Sequence, residues 1–387
     1  MFNGKRTITL PRKEGTEYYV ESLGSRILIL EQKNGFKLYS NHIHEFKDSV
    51  EDFFVLGRKV FVILCRKGIH CIDSIDVKGK IESVNTFNAT CITRIGKHIQ
   101  FQNPVCLTRI LRLNTQFPRI ISNLEPIEGF SEYTISSVSH TVPITLIHHK
   151  DAKLDTNSIP TLLTGYGAYG NGFRIDFDPL WLCLLKRGWM IAVAHVRGGN
   201  ENGRDWHKQG KLFSKKNSFK DFISAANYLK QKITRKEKLA CIGHSAGGLL
   251  VAASHNMDKN LCCLMILRSP FLDVAGALQD RHDKLRIMEF SEWGNPQTHQ
   301  EYIESYSPIS NIPVKSPIKC LLSHSLDDRH VPYWHSLQWT LRYSRLNPDA
   351  SIYLDLSSAS GHFERNTTLL KAKEFFYLLS EINDNTS

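Results

Sequence analysis

The sequence predicts an α/β fold, a mostly parallel sheet covered by helices on both faces, with an all-β region ahead of it. Three observations lead there. From about residue 126 onward, short apolar runs alternate with helical stretches, the pattern of a parallel sheet buried on both sides. Upstream, alternating or apolar runs are separated by turn residues, which is all-β patterning. Finally, the pentapeptide Gly243-His244-Ser245-Ala246-Gly247 stands where an apolar strand gives way to a small-residue helix start.

In chain order, the first strands are Tyr18–Ser22, Ser25–Leu30, Val55–Leu56, Val60–Leu64 and Gly68–Ile72. The composition shifts near Asn123–Gly129, which divides the chain into an all-β region, 1–125, and an α/β region, 126–387. The second region opens with a hairpin, Glu132–Val138 and Val142–His148, followed by the strand Thr161–Thr164. Phe219, Phe222, Ile223, Ala226 and Leu229 mark one face of a helix, Phe219–Leu229. The strand Lys238–Gly243 leads through the pentapeptide into the helix start Ala246–Ala253. Strands Lys319–His324 and Ser351–Leu356 and a last helix, Leu369–Leu379, complete the pattern.

Composition narrows the function classes. A chain of 387 residues with 41% hydrophobic side chains has material for two or three domains with full cores. No apolar run reaches the length of a membrane span, and Met1–Arg6 is followed by no apolar segment of a signal peptide, so a soluble, cytoplasmic protein is expected. Nine cysteines, several inside apolar strands (Cys65, Cys241, Cys320), lack paired metal spacing and read as buried free thiols, with no metal and no cofactor expected. The net charge of +11 is spread over both regions without a basic block, which argues against nucleic acid as a partner.

G-x-S-x-G is the nucleophile-elbow pattern: the serine occupies a strained strand-to-helix turn, and bulk at either flanking position would block the close backbone approach that lifts its hydroxyl into a cleft. Ser245 is then the candidate nucleophile. An acid and a histidine follow in the order of the α/β-hydrolase arrangement. Asp327-Asp328 lies just beyond the strand Lys319–His324, at a carboxyl end where catalytic groups collect. His362 ends the small-residue loop Ser358–His362 after the next strand. An imidazole would take the serine proton and a carboxylate would fix its tautomer. Adjacent aspartates project differently, so only one of them faces His362, and the residues alone do not choose between them.

From about Ser131 to Glu381 the chain resembles the prolyl oligopeptidase family of serine peptidases. The resemblance rests on Gly165-Tyr166-Gly167-Ala168-Tyr169-Gly170, His195-Val196-Arg197-Gly198-Gly199, Trp206–Lys211, Lys216–Ile223 and Asp327-Asp328-Arg329. Ser269–Val274 and Glu292–Pro296 look most like oligopeptidase B and the prolyl endopeptidase-like proteins. The resemblance implies an α/β-hydrolase catalytic domain with Ser245 as nucleophile, Asp327 as acid and His362 as base. It implies an oxyanion hole made by the Tyr166 hydroxyl and the Ala246 amide. It also implies a β-propeller ahead of the catalytic domain. At roughly 40 to 45 residues per blade the all-β region holds about three blades, fewer than the four to eight that usually close a propeller. An incomplete, truncated propeller is therefore expected, with a cleft more open than the family's norm and apolar surface that favours self-association.

Substrate-binding residues follow from the same resemblance. Glu289 falls where prolyl oligopeptidase carries a tryptophan that stacks on proline, and Glu289 with Glu292 resembles part of the acidic cluster by which oligopeptidase B selects Arg or Lys, with Ser291 at one of the acidic positions. Arg329 resembles an arginine that holds a substrate carbonyl, and Tyr169 is placed to wall the substrate pocket. The favoured function is a serine oligopeptidase acting on short peptides and on small acyl esters or thioesters. The alternative is a weakly catalytic or non-catalytic protein that uses the same fold for binding.

Overall fold

The computed structural model describes residues 17–383 apart from 24–25, 33–35, 40–42, 47, 57, 77, 85–88, 97, 114–125, 139–140, 155–156, 281–285, 359–360 and 363–366. The expected boundary residues Asn123–Glu125, the amino-terminal Met1–Arg6, and Ala359 and Ser360 of the histidine loop lie outside the described residues.

Among the described residues the strands form four sheets. The first is an antiparallel meander of β1 (Glu17–Leu23), β2 (Arg26–Gln32), β3 (Phe36–Tyr39) and β4 (Ile43–Phe46). The second is a meander of β5 (Ser49–Leu56), β6 (Lys59–Arg66), β7 (Ile69–Ile75) and β8 (Ile81–Val84). The third holds β9 (Cys91–Ile95), β10 (His98–Asn103) and β11 (Cys106–Arg112). The short β-rich runs with turn residues between them thus pair locally, each strand with its sequence neighbour.

The fourth sheet is mixed and has eight strands. They are β12 (Tyr133–Val138), β13 (Ile144–His149), β14 (Thr161–Thr164), β15 (Met190–Ala194), β16 (Leu239–His244), β17 (Leu264–Arg268), β18 (Lys319–Ser325) and β19 (Ser351–Ser357), in the spatial order β12-β13-β15-β14-β16-β17-β18-β19. The hairpin β12-β13 and the β13-β15 pair are antiparallel; the strands from β15 through β19 run parallel. Every residue of β14 and β15 is buried, as expected of strands covered on both faces, and β15 is apolar throughout.

Helices cover both faces. One core contains Phe219, Phe222 and Leu229 of the helix Lys216–Lys232, Leu249 and Leu250 of Ala246–Met257, and Trp339 and Tyr343 of Trp334–Leu346. On the opposite face, Leu180 and Trp181 of Pro179–Leu185 and Leu378 of Thr367–Asn383 share one core with Phe54, Phe61, Ile63, Ile92 and Phe101 of the second and third antiparallel sheets. Those two sheets are therefore packed onto the mixed sheet. Their contact is specific at the β6-β7 turn. The Lys67 amide donates to the Glu201 carbonyl at 3.1 Å, and a Cβ on Gly68, whose φ is +83°, would sit 1.9 Å from His195 Cε1. No other residue type fits that turn against the buried His195 ring.

No helix among the described residues is long and apolar enough to cross a membrane. The nine cysteines are unbridged.

Candidate active site

Strand β16 and the helix Ala246–Met257 meet at Ser245, held at φ 55° and ψ −119°, a backbone state that costs a non-glycine residue of order 1–3 kcal/mol. The two flanking glycines are demanded by space. A Cβ on Gly243 would lie 2.1 Å from the Gly247 carbonyl oxygen, and one on Gly247 would lie 2.8 Å from the Gly165 oxygen. The elbow expected from the pentapeptide is thus formed at the end of β16.

His362 approaches from the loop after β19. Its Nε2 lies 2.9 Å from Ser245 Oγ and its Nδ1 lies 2.7 Å from Asp328 Oδ2. This corrects the expected acid, Asp327. Beyond β18 the Leu326 amide donates to the Ser357 carbonyl at 2.8 Å and the Asp328 amide to the Ser325 carbonyl at 3.2 Å, a turn that leaves Asp327 exposed and aims the next side chain inward. Asp328 Oδ1 accepts the amides of His330 and Val331, each at 2.9 Å, and His324 Nε2 stands 3.4 Å from Oδ2. Burial opposes the charge on Asp328, but hydrogen bonds from His324, His362 and the Val331 amide outweigh it and hold the carboxyl well below the usual carboxylate range. An ionised acceptor at Nδ1 fixes the His362 proton there and leaves Nε2 free to accept from the Ser245 hydroxyl.

His244 also borders Ser245. Its Nε2 lies 3.1 Å from the His362 carbonyl oxygen, and its ring centroid lies 5.0 Å from that of His362. Burial first, then the neighbouring His362, pushes the His244 imidazole down to about 4, so it is a neutral donor to that carbonyl.

Tyr166 flanks the elbow: a Cβ on Gly247 would lie 3.6 Å from its Cδ2. Burial, with the Glu292 and Glu289 carboxylates adding to it, pushes its phenol up to about 12, which keeps it a donor. Ala246 is the first residue of its helix, where backbone amides have no intrahelical acceptor. Tyr166, His244, Ser245 and His362 line one cleft of about 640 Å³. The cleft is also lined by Glu51, Ile63, His70 and Arg94 of the antiparallel sheets and by Arg174, which donates to Thr93 Oγ1 at 2.7 Å. The short all-β region thus reaches the cleft that it was expected to leave more open.

The residues expected to bind substrate are distributed differently. Tyr169, at φ 60°, donates from its hydroxyl to Glu289 Oε2 at 2.7 Å and packs edge-on against Trp293. Glu289 also accepts from Trp293 Nε1 at 2.8 Å. Glu292 is corrected: its carboxylate is buried, 2.7 Å from His207 Nε2 and 3.3 Å from Lys215 Nζ, so it does not face a cationic substrate. Burial opposes its charge, and His207 and Lys215 together override that and lower its titration below the ordinary range. Arg329 is exposed and borders neither the cleft nor, by any ion pair among the described residues, Asp328.

Sequence reasoning missed His244, Lys215, His207 and the cleft residues of the antiparallel sheets. His244 was legible in principle, because a residue adjoining Ser245 at a strand end must border the cleft.

Residues 176–380 match the model of the prolyl oligopeptidase family. Protease 2 of Moraxella lacunata is 36% identical over 237 residues, 60% of this chain and 34% of that protein. Dipeptidyl aminopeptidase BI of Pseudoxanthomonas mexicana is 30% identical over 382 residues, 89% of this chain and 53% of that protein. Among solved structures, oligopeptidase B from Trypanosoma brucei, in a closed form with covalently bound antipain, superposes with a TM-score of 0.82 at 26% identity, over 97% of this chain and 60% of that one. The chain thus spans about half or less of the length of these curated relatives. The matched family model covers most of the mixed sheet and both of the loops that bring Asp328 and His362 to Ser245, and the chain belongs to the prolyl oligopeptidase family.

Proposed function

We propose that this protein is a serine peptidase of short peptides in which Ser245 attacks the scissile carbonyl, His362 acts as base and then acid, and Asp328 holds and compensates the imidazolium. The observation that carries the reading is the placement of His362 between Ser245 Oγ at 2.9 Å and Asp328 Oδ2 at 2.7 Å. The Tyr166 hydroxyl and the Ala246 amide serve as oxyanion donors. Each is worth about 3 to 4 kcal/mol of transition-state stabilisation in a site of this kind. The antiparallel sheets act as blades of an incomplete propeller that wall the cleft, whose volume of about 640 Å³ suits a small ligand or short peptide. With Glu292 committed to Lys215 and His207, Glu289 is the one carboxylate of the expected pair left to attract a basic side chain, which supports only a modest preference for Arg or Lys.

A panel of short chromogenic peptides ending in Arg, Lys, Pro or a neutral residue, run beside a small acyl ester, tests this. The reading expects peptide hydrolysis by the wild type that Ser245→Ala abolishes. Hydrolysis that survives Ser245→Ala, or turnover of the ester with none of any peptide, would contradict it.

A further inference from the structure

We propose that Lys215 is a positioning residue for the oxyanion donor Tyr166, acting through the Gly167 carbonyl and the Glu292 and Trp293 side chains. The inference rests on the serine-hydrolase reading above. Lys215 follows the short turn Leu212–Ser214 and precedes the helix Lys216–Lys232; its side chain is only 2% exposed. Burying an ammonium costs several kcal/mol unless its donors are matched. Here they are matched. Nζ donates to the Gly167 carbonyl at 2.7 Å, stands 3.3 Å from Glu292 Oε1 and lies 4.5 Å from the Trp293 ring centroid. Burial lowers its titration to about 8, and Glu292 counteracts part of that.

The contacts close a circuit around the Tyr166–Tyr169 segment. Gly167, at φ +67°, is pressed against Val196, where a Cβ would meet Cγ2 at 2.5 Å, so the backbone there has no slack. Lys215 ties the segment's middle to Glu292 and Trp293 at the end of the helix Arg286–Trp293. That helix holds the segment's far end, because Glu289 Oε2 accepts from Tyr169 Oη at 2.7 Å and Trp293 Nε1 lies 3.2 Å from the same phenol. His207 bonds the other Glu292 oxygen at 2.7 Å and fixes the carboxylate for Lys215. The Tyr166 hydroxyl has no partner among the described residues, so its aim is inherited from this backbone. A buried cation is thus spent on the peptide next to the donor rather than on the triad, and a donor misplaced by a fraction of an ångström loses much of its effect.

The test is a double-mutant cycle on kcat, with Tyr166→Phe, Lys215→Met and the two combined, and with Ser245→Ala as the control. Lys215→Met is expected to lower kcat by ~10- to 100-fold with KM changed less than about threefold. In the Tyr166→Phe background the same change should lower kcat less than about threefold, because the donor it positions is already gone. Lys215→Arg, which keeps a cation, should recover part of the loss. Equal losses in both backgrounds, or a loss confined to KM, would overturn the inference and leave Lys215 a structural residue. Should Lys215→Met fail to fold by circular dichroism, Glu292→Gln, which keeps an acceptor of the same shape, completes the cycle with the same expected non-additivity. Absence of Ser245-dependent turnover in the wild type would instead overturn the hydrolase reading on which the inference stands.

Discussion

The Asp328 carboxylate lies 2.7 Å from His362 Nδ1, whereas the adjacent Asp327 is exposed and turned away. One residue of turn after β18 decides which of two chemically identical groups meets the His362 ring. Asp328→Asn should therefore lower kcat by ~10⁴-fold, because an amide no longer enforces the tautomer in which Nε2 accepts. Asp327→Asn should change kcat less than about threefold. Steady-state kinetics on the two variants checks this, and the reverse ranking would restore Asp327 as the acid.

Removing the Tyr166 hydroxyl should act on the transition state alone. Tyr166→Phe is expected to reduce kcat by ~10²-fold or more with little change in KM, since in the proposed role the phenol meets charge that develops only during attack. An equal rise in KM without loss of kcat would assign Tyr166 to ground-state binding.

The stability of the protein should fall as pH drops from about 6.5 to about 4. Burial pushes His244 and His255 down to about 4 and His335 to about 3, each below the ordinary imidazole value near 6.5. Between the folded and unfolded values the unfolded chain binds more protons, so acid favours unfolding, and below the folded values the dependence ends. For His255, hydrogen-bonded to Tyr343 at 2.9 Å, the effect is on the order of 3 kcal/mol across that window. Chemical denaturation of His255→Gln across pH 4 to 7 should show a shallower slope than the wild type. An unchanged slope would mean that His255 titrates alike in both states.

How much of this was readable in the residues differs by element. The helix predicted over Phe219–Leu229 is the core of the observed Lys216–Lys232, because a 3.6-residue apolar face is a local signal. The elbow was legible for the same reason: Gly243 and Gly247 report a steric demand that only one kind of turn makes. The acid was not, since Asp327 and Asp328 differ only in the turn geometry set by Ser325 and Ser357. Nor was the fate of Glu292, whose partners His207 and Lys215 are 85 and 77 residues away in the chain. The cleft wall formed by Glu51 and His70 was hidden for a related reason, as it depends on sheets docked through non-local contacts.

That docking has a single-residue test. Gly68→Val would force a side chain into the buried His195 ring at a position with φ +83°. The expected result is a loss of several kcal/mol of stability and faster proteolysis of the amino-terminal strands, measured by denaturation and limited digestion. Wild-type resistance in the variant would show that the β6-β7 turn does not anchor the sheets.

The central claim is that Ser245 is an activated nucleophile. Reaction of the purified protein with a fluorophosphonate, followed by peptide mass spectrometry, tests it most directly, with Asp328→Asn alongside the wild type. The account predicts one adduct, on Ser245, formed far more slowly when Asp328 is replaced. No adduct on the folded wild type, or an adduct on another residue with Ser245 unmodified, would contradict it.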